Sequence, residues 1–327
     1  MTNNLLEVRD LTVGYQTPRG IVRALNNVNL EVPKGKIVGI VGESGCGKST
    51  LLSSIIGLLD TNAHVINGSV SFAGQNLMEL SDHEIRSLRG DRISMIFQDP
   101  MSTLNPVLSI GNHMTGIQFR SRISMAKKRE RAVEMLGRVG IADAEERLDS
   151  FPHQFSGGMC QRVSIAMALQ SEPDLLIADE PTTALDATLE VEILHRLREL
   201  QKNLHCSILF ISHHLGVISE ICDDVYVMYA GEVVESGSVR EIFHNAKHPY
   251  SQKLLECDPA RATTRTDDLP TLPGSIPDLT NPPTGCIFAS RCSGVMEVCQ
   301  TNAPKRHYIG GNHYASCHLL NGDATHA

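Results

Sequence analysis

The run Ile37-Val38-Gly39-Ile40-Val41, followed by Gly42-Glu43-Ser44-Gly45-Cys46-Gly47-Lys48-Ser49-Thr50, decides the fold. The first part is a short apolar stretch, suited to a strand buried on both faces. Gly42 to Ser49 fits the pattern G-x-x-x-x-G-K-S/T. Its glycines let the backbone wrap so that several N–H groups point inward at phosphate. Lys48 to Ile56 continues at helical spacing, and the start of that helix adds a positive dipole end. Lys48 is placed to reach the outer phosphates of a nucleotide, and Ser49 to offer its hydroxyl to Mg²⁺. Cys46 contributes its backbone, with no chemistry expected of its thiol.

Working outward, residues 5–15 and 24–32 partly alternate and read as strands, and Ile93–Phe97 as another. Ser81 with Glu84 forms a capping-box pattern that opens a short helix. From about 105 to 170 strand patterns vanish and the segment reads as a helical insertion, Met125 to Val139 being its plainest helix. Its Lys-Lys-Arg-Glu-Arg run reads as a solvated face. Strands return at Leu175–Ala178, Ser207–Ile211 and Val225–Tyr229, with helices between. Leu175-Leu176-Ile177-Ala178 ends in Asp179 and Glu180. Asp179 is placed to orient a Mg²⁺ shell, and Glu180 to polarise a water for in-line attack on a γ-phosphate.

Phe155-Ser156-Gly157-Gly158-Met159 then precedes Cys160-Gln161-Arg162 and a helical run. With the phosphate loop and the acidic strand end, this string resembles the signature of ABC ATPases, over residues 5 to about 255. The resemblance implies a P-loop ABC cassette: an α/β, RecA-like core, an antiparallel β-subdomain and a helical subdomain at about 105–170. It implies Tyr15 as the adenine-stacking aromatic and Gln98 as the glutamine that contacts Mg²⁺ and the attacking water. It implies Asp186, in Thr183-Ala184-Leu185-Asp186, as the D-loop, and His213 as the switch histidine that holds the γ-phosphate and aligns Glu180. Ser156 and Gly158 would grip the nucleotide of a second cassette, so two cassettes close head-to-tail around two ATP molecules. Met159 and Phe155 depart from the usual Gln and Leu, and His214 stands where an Asp often follows the switch histidine.

Gln98-Asp99-Pro100-Met101-Ser102-Thr103-Leu104-Asn105-Pro106 and His248-Pro249-Tyr250-Ser251-Gln252-Lys253-Leu254-Leu255 resemble the bacterial dipeptide and oligopeptide importer ATPases. So does Leu272-Pro273-Gly274 followed by Gly285-Cys286 and Arg291-Cys292. Nickel and antimicrobial-peptide uptake systems share much of this pattern. The resemblance implies ATP hydrolysis coupled to uptake, with a second ATPase subunit, usually a paralogue, two permease subunits and an extracytoplasmic peptide-binding protein as partners. It places the chain at the cytoplasmic face of a bacterial inner membrane.

The cassette is expected over 1–255, a Pro-rich linker over 256–285 and a Cys-rich region over 286–320, with a frayed tail beyond. Cys286, Cys292, Cys299 and Cys317 follow the spacing C-x₅-C-x₆-C-x₁₇-C. No pair is tight, which speaks against zinc; four thiolates suit a 4Fe–4S cluster, and no metal is the third reading. The resemblance implies such a cluster at these cysteines, although Ser293-Gly294 replaces the usual Pro-aromatic pair. His313 and His318 read as surface residues rather than ligands. Cys206 and Cys222 read as core.

Composition limits the remaining classes. The chain has 327 residues, 41% hydrophobic, enough for a sizeable core. A formal net charge of −8 and only 4% aromatics count against nucleic acid as a partner. No window approaches the ~18 uninterrupted apolar residues of a membrane span, and the N-terminus has no signal-peptide apolar region. A soluble ABC protein acting on DNA or ribosomes would carry two fused cassettes, or long coiled-coil or zinc insertions in the cassette; this sequence reads as one cassette with no heptad run and an acidic balance. A metal-sensing regulator would not need Glu180.

Overall fold

A computed structural model describes residues 3–182, 185–258 and 271–320. The chain divides into two compact units, Met1–Leu5 with Val32–Ile37 and Leu80–Ile211, and Leu6–Glu31 with Val38–Glu79 and Ser212–Ala327.

The second unit begins with β1 (Asn4–Thr17) and β2 (Gly20–Pro33). β3 (Ile37–Val41) is buried at all five positions, as its unbroken apolar run requires. The loop and α1 (Lys48–Ile56) follow, and α1 ends at Gly57 in a left-handed cap at φ 65°. β4 (Ala63–Phe72) and β5 (Gln75–Asn76) complete an antiparallel sheet of order β2-β1-β4-β5. β4 pairs with β1 in the register Leu6↔Phe72 and Val8↔Val70. The sequence hides β4, because Val65 and Ile66 are exposed and Gly68 turns the backbone to φ +97° where the register with β1 slips.

The first unit holds α2 (Asp82–Leu88), β6 (Ile93–Ile96), α3 (Pro100–Thr103), α4 (Ile110–Gly116), α5 (Met125–Arg138), α6 (Ala144–Arg147), α7 (Gly157–Leu169), β7 (Leu175–Asp179), α8 (Ala187–Leu204) and β8 (Ser207–Ile211). The capping box of α2 is present: the Ser81 N–H donates to the Glu84 carboxylate at 2.9 Å, and the Glu84 N–H to Ser81 Oγ at 3.4 Å. Among the described residues between β6 and β7 there are helices joined by turns and irregular segments, and no strand. In α5 Ala132, Met135 and Leu136 are buried while the Lys-Lys-Arg-Glu-Arg run faces solvent. β6, β7 and β8 are parallel, with Ile93↔Leu175 and Leu175↔Ser207 opposite each other.

The second unit resumes with α9 (Leu215–Ile221), β9 (Asp224–Tyr229), β10 (Glu232–Ser238), α10 (Val239–Asn245), α11 (Pro249–Glu256), α12 (Glu297–Thr301), β11 (Arg306–Gly310) and β12 (His313–Ser316). β9 lies parallel to β3 and antiparallel to β10. β12 pairs with β10, Glu235↔Ala315, so the Cys-rich region supplies a hairpin to this sheet. Residues 271–285 form no helix or strand, yet they are packed: the Arg23 N–H of β2 donates to the Leu279 carbonyl at 3.0 Å. The expected linker residues 259–270 and the tail after Leu320 lie outside the described residues. Cys206 and Cys222 are buried.

Candidate active site

Backbone conformation shapes the loop after β3. Gly47 caps α1 at φ +104°, and a Cβ there would stand 2.6 Å from the Ala24 carbonyl oxygen. A Cβ on Gly42 would run into the carbonyl oxygen of Met228. Lys48 is buried, and its ammonium donates to the carbonyls of Gly42 at 2.7 Å and Glu43 at 3.1 Å. Ser44, Gly45 and Ser49 are exposed, open to a ligand. Burial pushes the Cys46 thiol up, against the pull of Lys48. The Tyr15 hydroxyl lies 3.4 Å from Thr50 Oγ1, which brings together two of the residues expected at the site. In the same unit, the Ser212 N–H donates to the Ile40 carbonyl at 3.3 Å, tying the start of the switch segment to β3. His213 and His214 follow, exposed, with ring centroids 4.3 Å apart edge to face.

In the other unit, β7 delivers Asp179 and Glu180, both half-buried. Glu180 has φ +47°, a left-handed conformation that costs a non-glycine residue about 1–3 kcal/mol and collects at functional sites. Its N–H donates to the Ile211 carbonyl at 3.0 Å. Gln98, 82 residues away in sequence, donates through Nε2 to Glu180 Oε2 at 2.9 Å. That contact joins two of the expected catalytic residues.

Ser156, expected as the signature serine, caps a helix: its Oγ accepts from the Met159 N–H at 3.3 Å and opens α7. A Cβ at Gly157 would meet open space, while one at Gly158 would press on Leu189 of α8 at 2.9 Å. Asp186 caps α8, accepting from the N–H groups of Thr188 and Leu189 at 3.1 and 3.0 Å. Thr183 and Ala184 lie outside the described residues.

All four C-terminal cysteines are free thiols. The Cys286 N–H donates to the Cys299 carbonyl at 2.8 Å. Burial, with smaller contributions from Cys299, Cys292 and Cys317, pushes the Cys286 thiol up to about 11. The backbone N–H groups of Phe288, Gly294 and Leu319 pull the other way, each on the thiol two residues before it. Among the described residues no group of three or more His, Cys, Asp or Glu side chains is arranged to hold a single metal ion. The expectation for His313 is corrected: it is 1% exposed. Its ring nitrogen lies 2.7 Å from the equally buried carboxylate of Glu235, because β12 pairs with β10 at that point.

The sequence reading missed Glu43, Tyr229, Tyr250 and Arg291. Tyr250 accepts the Glu43 N–H at 3.0 Å, and Arg291 pairs with the Glu43 carboxylate at 2.7 Å. Glu43 occupies a variable position of the loop pattern, and its partner Arg291 lies 248 residues away, so no local signal marks the pair.

A family model described as ABC transporter matches residues 25–183. Another, described as oligopeptide/dipeptide transporter, C-terminal region, matches residues 234–299. The oligopeptide transport ATP-binding protein OppD of Bacillus subtilis is 45% identical over 98% of this chain and 90% of its own. The chain belongs to the ABC transporter family. The dipeptide transport ATP-binding protein DppD of the same organism is 45% identical over 99% of this chain and 97% of its own. Among solved structures, the ABC cassette MJ0796 in a dimeric post-hydrolysis state with ADP and phosphate has a TM-score of 0.65 and 30% identity. It covers 72% of this chain and 99% of its own. As an ABC ATPase this chain is an ATP hydrolase, and no helix among its described residues is long and apolar enough to cross a membrane.

Proposed function

We propose that this chain is the ATP-hydrolysing subunit of an importer for dipeptides or oligopeptides, at the cytoplasmic face of a bacterial inner membrane. The observation that carries the reading is one chain holding both a phosphate loop and the oligopeptide/dipeptide transporter C-terminal region. Its partners are a second ATPase subunit, two permease subunits and an extracytoplasmic peptide-binding protein; it carries the motor chemistry and they carry the path.

ATP draws the Lys48 ammonium from the Gly42 and Glu43 carbonyls onto its outer phosphates, exchanging two neutral acceptors for an anion. Gly42, Ser44, Gly45, Cys46, Gly47, Ser49 and Thr50 supply backbone N–H groups and hydroxyls, and Tyr15 stacks on the adenine. Ser49, Asp179 and Gln98 are the oxygen donors suited to Mg²⁺, which neutralises phosphate charge when bound. Glu180 accepts a proton from the attacking water. Its hydrogen bond from Gln98 steadies the carboxylate, and releasing that bond frees an oxygen for the water. His213 donates to the γ-phosphate. Ser156, Gly158 and Asp186 act across a cassette pair, Ser156 giving up its cap to Met159 to donate its hydroxyl to the partner's nucleotide.

Cys286, Cys292, Cys299 and Cys317 are proposed to hold a 4Fe–4S cluster. Supporting this are four free thiols, with neighbouring thiols among the groups that raise the proton affinity of Cys286, Cys292 and Cys317, and backbone N–H groups directed at those three. Iron and acid-labile sulfide analysis of anaerobically purified protein tests it; iron-free protein ends the idea. For the motor, Glu180→Gln is expected to keep ATP affinity and lose turnover by about 10²–10⁴-fold, while Lys48→Ala loses nucleotide binding. Unchanged hydrolysis in Glu180→Gln would sink the assignment.

A further inference from the structure

Arg291 stands one residue before Cys292, yet its side chain is spent on the phosphate loop and is only 4% exposed. Nη1 and Nη2 donate to the two oxygens of the Glu43 carboxylate at 2.7 and 3.1 Å, fork on fork. The same guanidinium donates through Nε to the Pro273 carbonyl at 2.8 Å and through Nη2 to the Leu272 carbonyl at 3.1 Å. It also lies 5.6 Å from the centre of the Tyr229 ring. These contacts fix its direction.

Glu43 is held at its main chain as well. Its carbonyl accepts from Lys48 Nζ, and its N–H donates to the Tyr250 hydroxyl at 3.0 Å. Tyr250 and Tyr229 pack on Phe288, with ring centroids 5.4 and 5.1 Å away. The segment Phe288–Arg291 therefore reaches Glu43 by two routes, one through its carboxylate and one through its amide. Charge gives the arrangement a direction. Glu43 is the one carboxylate between Gly42 and Ser49, in a loop built to gather phosphate. At 29% exposure it is only partly screened, so left unpaired it would oppose an incoming nucleotide.

We infer that Arg291 is a positioning residue for nucleotide binding: it fixes Glu43 and cancels its charge, so the C-terminal region sets the affinity of the phosphate loop for ATP. The inference rests on the nucleotide reading above. The test uses the full chain, with calorimetric Kd for Mg-ATP and steady-state KM and kcat. Arg291→Ala is expected to raise Kd and KM roughly tenfold, with kcat changed less than about twofold. Arg291→Lys keeps the charge but loses the fork, and gives a smaller rise. Adding Glu43→Gln to either variant returns Kd to within about twofold of wild type, since no charge is left to cancel. Arg306→Ala, in the same region but bonded to Ser236 and stacked on Tyr314, leaves Kd unchanged.

An Arg291→Ala protein with wild-type Kd overturns the inference. So does a double variant as weak as Arg291→Ala alone, because a purely structural role would not be rescued by neutralising Glu43. If Arg291→Ala is insoluble, the Arg291→Lys pair decides by the same comparison. Wild type that binds no Mg-ATP, with Lys48→Ala indistinguishable from it, would overturn the nucleotide reading instead.

Discussion

Gly47 shows how far a single residue can be read. The G-K-S pattern marks it as a loop glycine, and the structure supplies two reasons for it: a φ of +104° and a carbonyl oxygen 2.6 Å from where a Cβ would stand. Gly47→Ala is therefore expected to strain the loop by about 1–3 kcal/mol, lowering the melting temperature and weakening Mg-ATP binding together. Calorimetry checks both, and an alanine variant with wild-type values would show that the loop relaxes freely. Lys48, Asp179 and Glu180 stand out in the sequence for a similar reason, because phosphate chemistry asks for those residue types at the end of such a loop and such a strand. Glu43 and Arg291 do not, since nothing in either neighbourhood forecasts a pair 248 residues apart.

Elements were legible where hydrophobic period and caps agree. β3, α1 and β8 fall within the limits their patterns set, and the Ser81–Glu84 box opens α2 as its spacing predicts. β4 escaped because its first half is exposed and a glycine interrupts it; β10 and β12 escaped because polar residues, Glu235, Ser236 and His313, stand at buried positions, so no apolar alternation marks the strands. α11 carries a feature that only burial explains. His248 caps it, Nδ1 accepting from the Tyr250 N–H at 3.0 Å, and burial lowers the ring to about 4, with Glu235 opposing. The unfolded ring, near 6.5, binds a proton that the folded ring refuses between those values. Stability is therefore full above about pH 6.5 and falls as pH drops toward 4, by at most about 1.4 kcal/mol per unit. His248→Asn keeps a capping acceptor and removes the titration, so its acid-side stability curve should be flatter. Denaturant midpoints measured from pH 4 to 7 check this, and parallel curves would refute it.

At the scale of the whole molecule, the C-terminal hairpin shares a sheet with β10 and β9. The hairpin of β11 and β12 closes over β10, where Glu235 is fully buried. The Glu235 carboxylate accepts from the N–H groups of Lys247 and His248 at 2.6 and 3.0 Å and meets His313 at 2.7 Å. A buried carboxylate holds its place only while such partners satisfy it. Ending the chain before Cys286 would remove His313, uncover the β10 edge, and strip Phe288 from Tyr229 and Tyr250. Such a truncated chain is expected to aggregate rather than fold as a free cassette, because an uncovered strand edge beside an unmatched acid invites association. His313→Ala isolates one part of this: it leaves the hairpin in sequence but takes one of two partners from Glu235 Oε1, which keeps the Lys247 N–H, at a cost of about 1–3 kcal/mol. Thermal melts and sedimentation of the two variants decide the matter. A soluble, monomeric truncated cassette with an unshifted melt would mean that the C-terminal region is an appendage after all, and that its hold on Glu43 adds nothing to the fold.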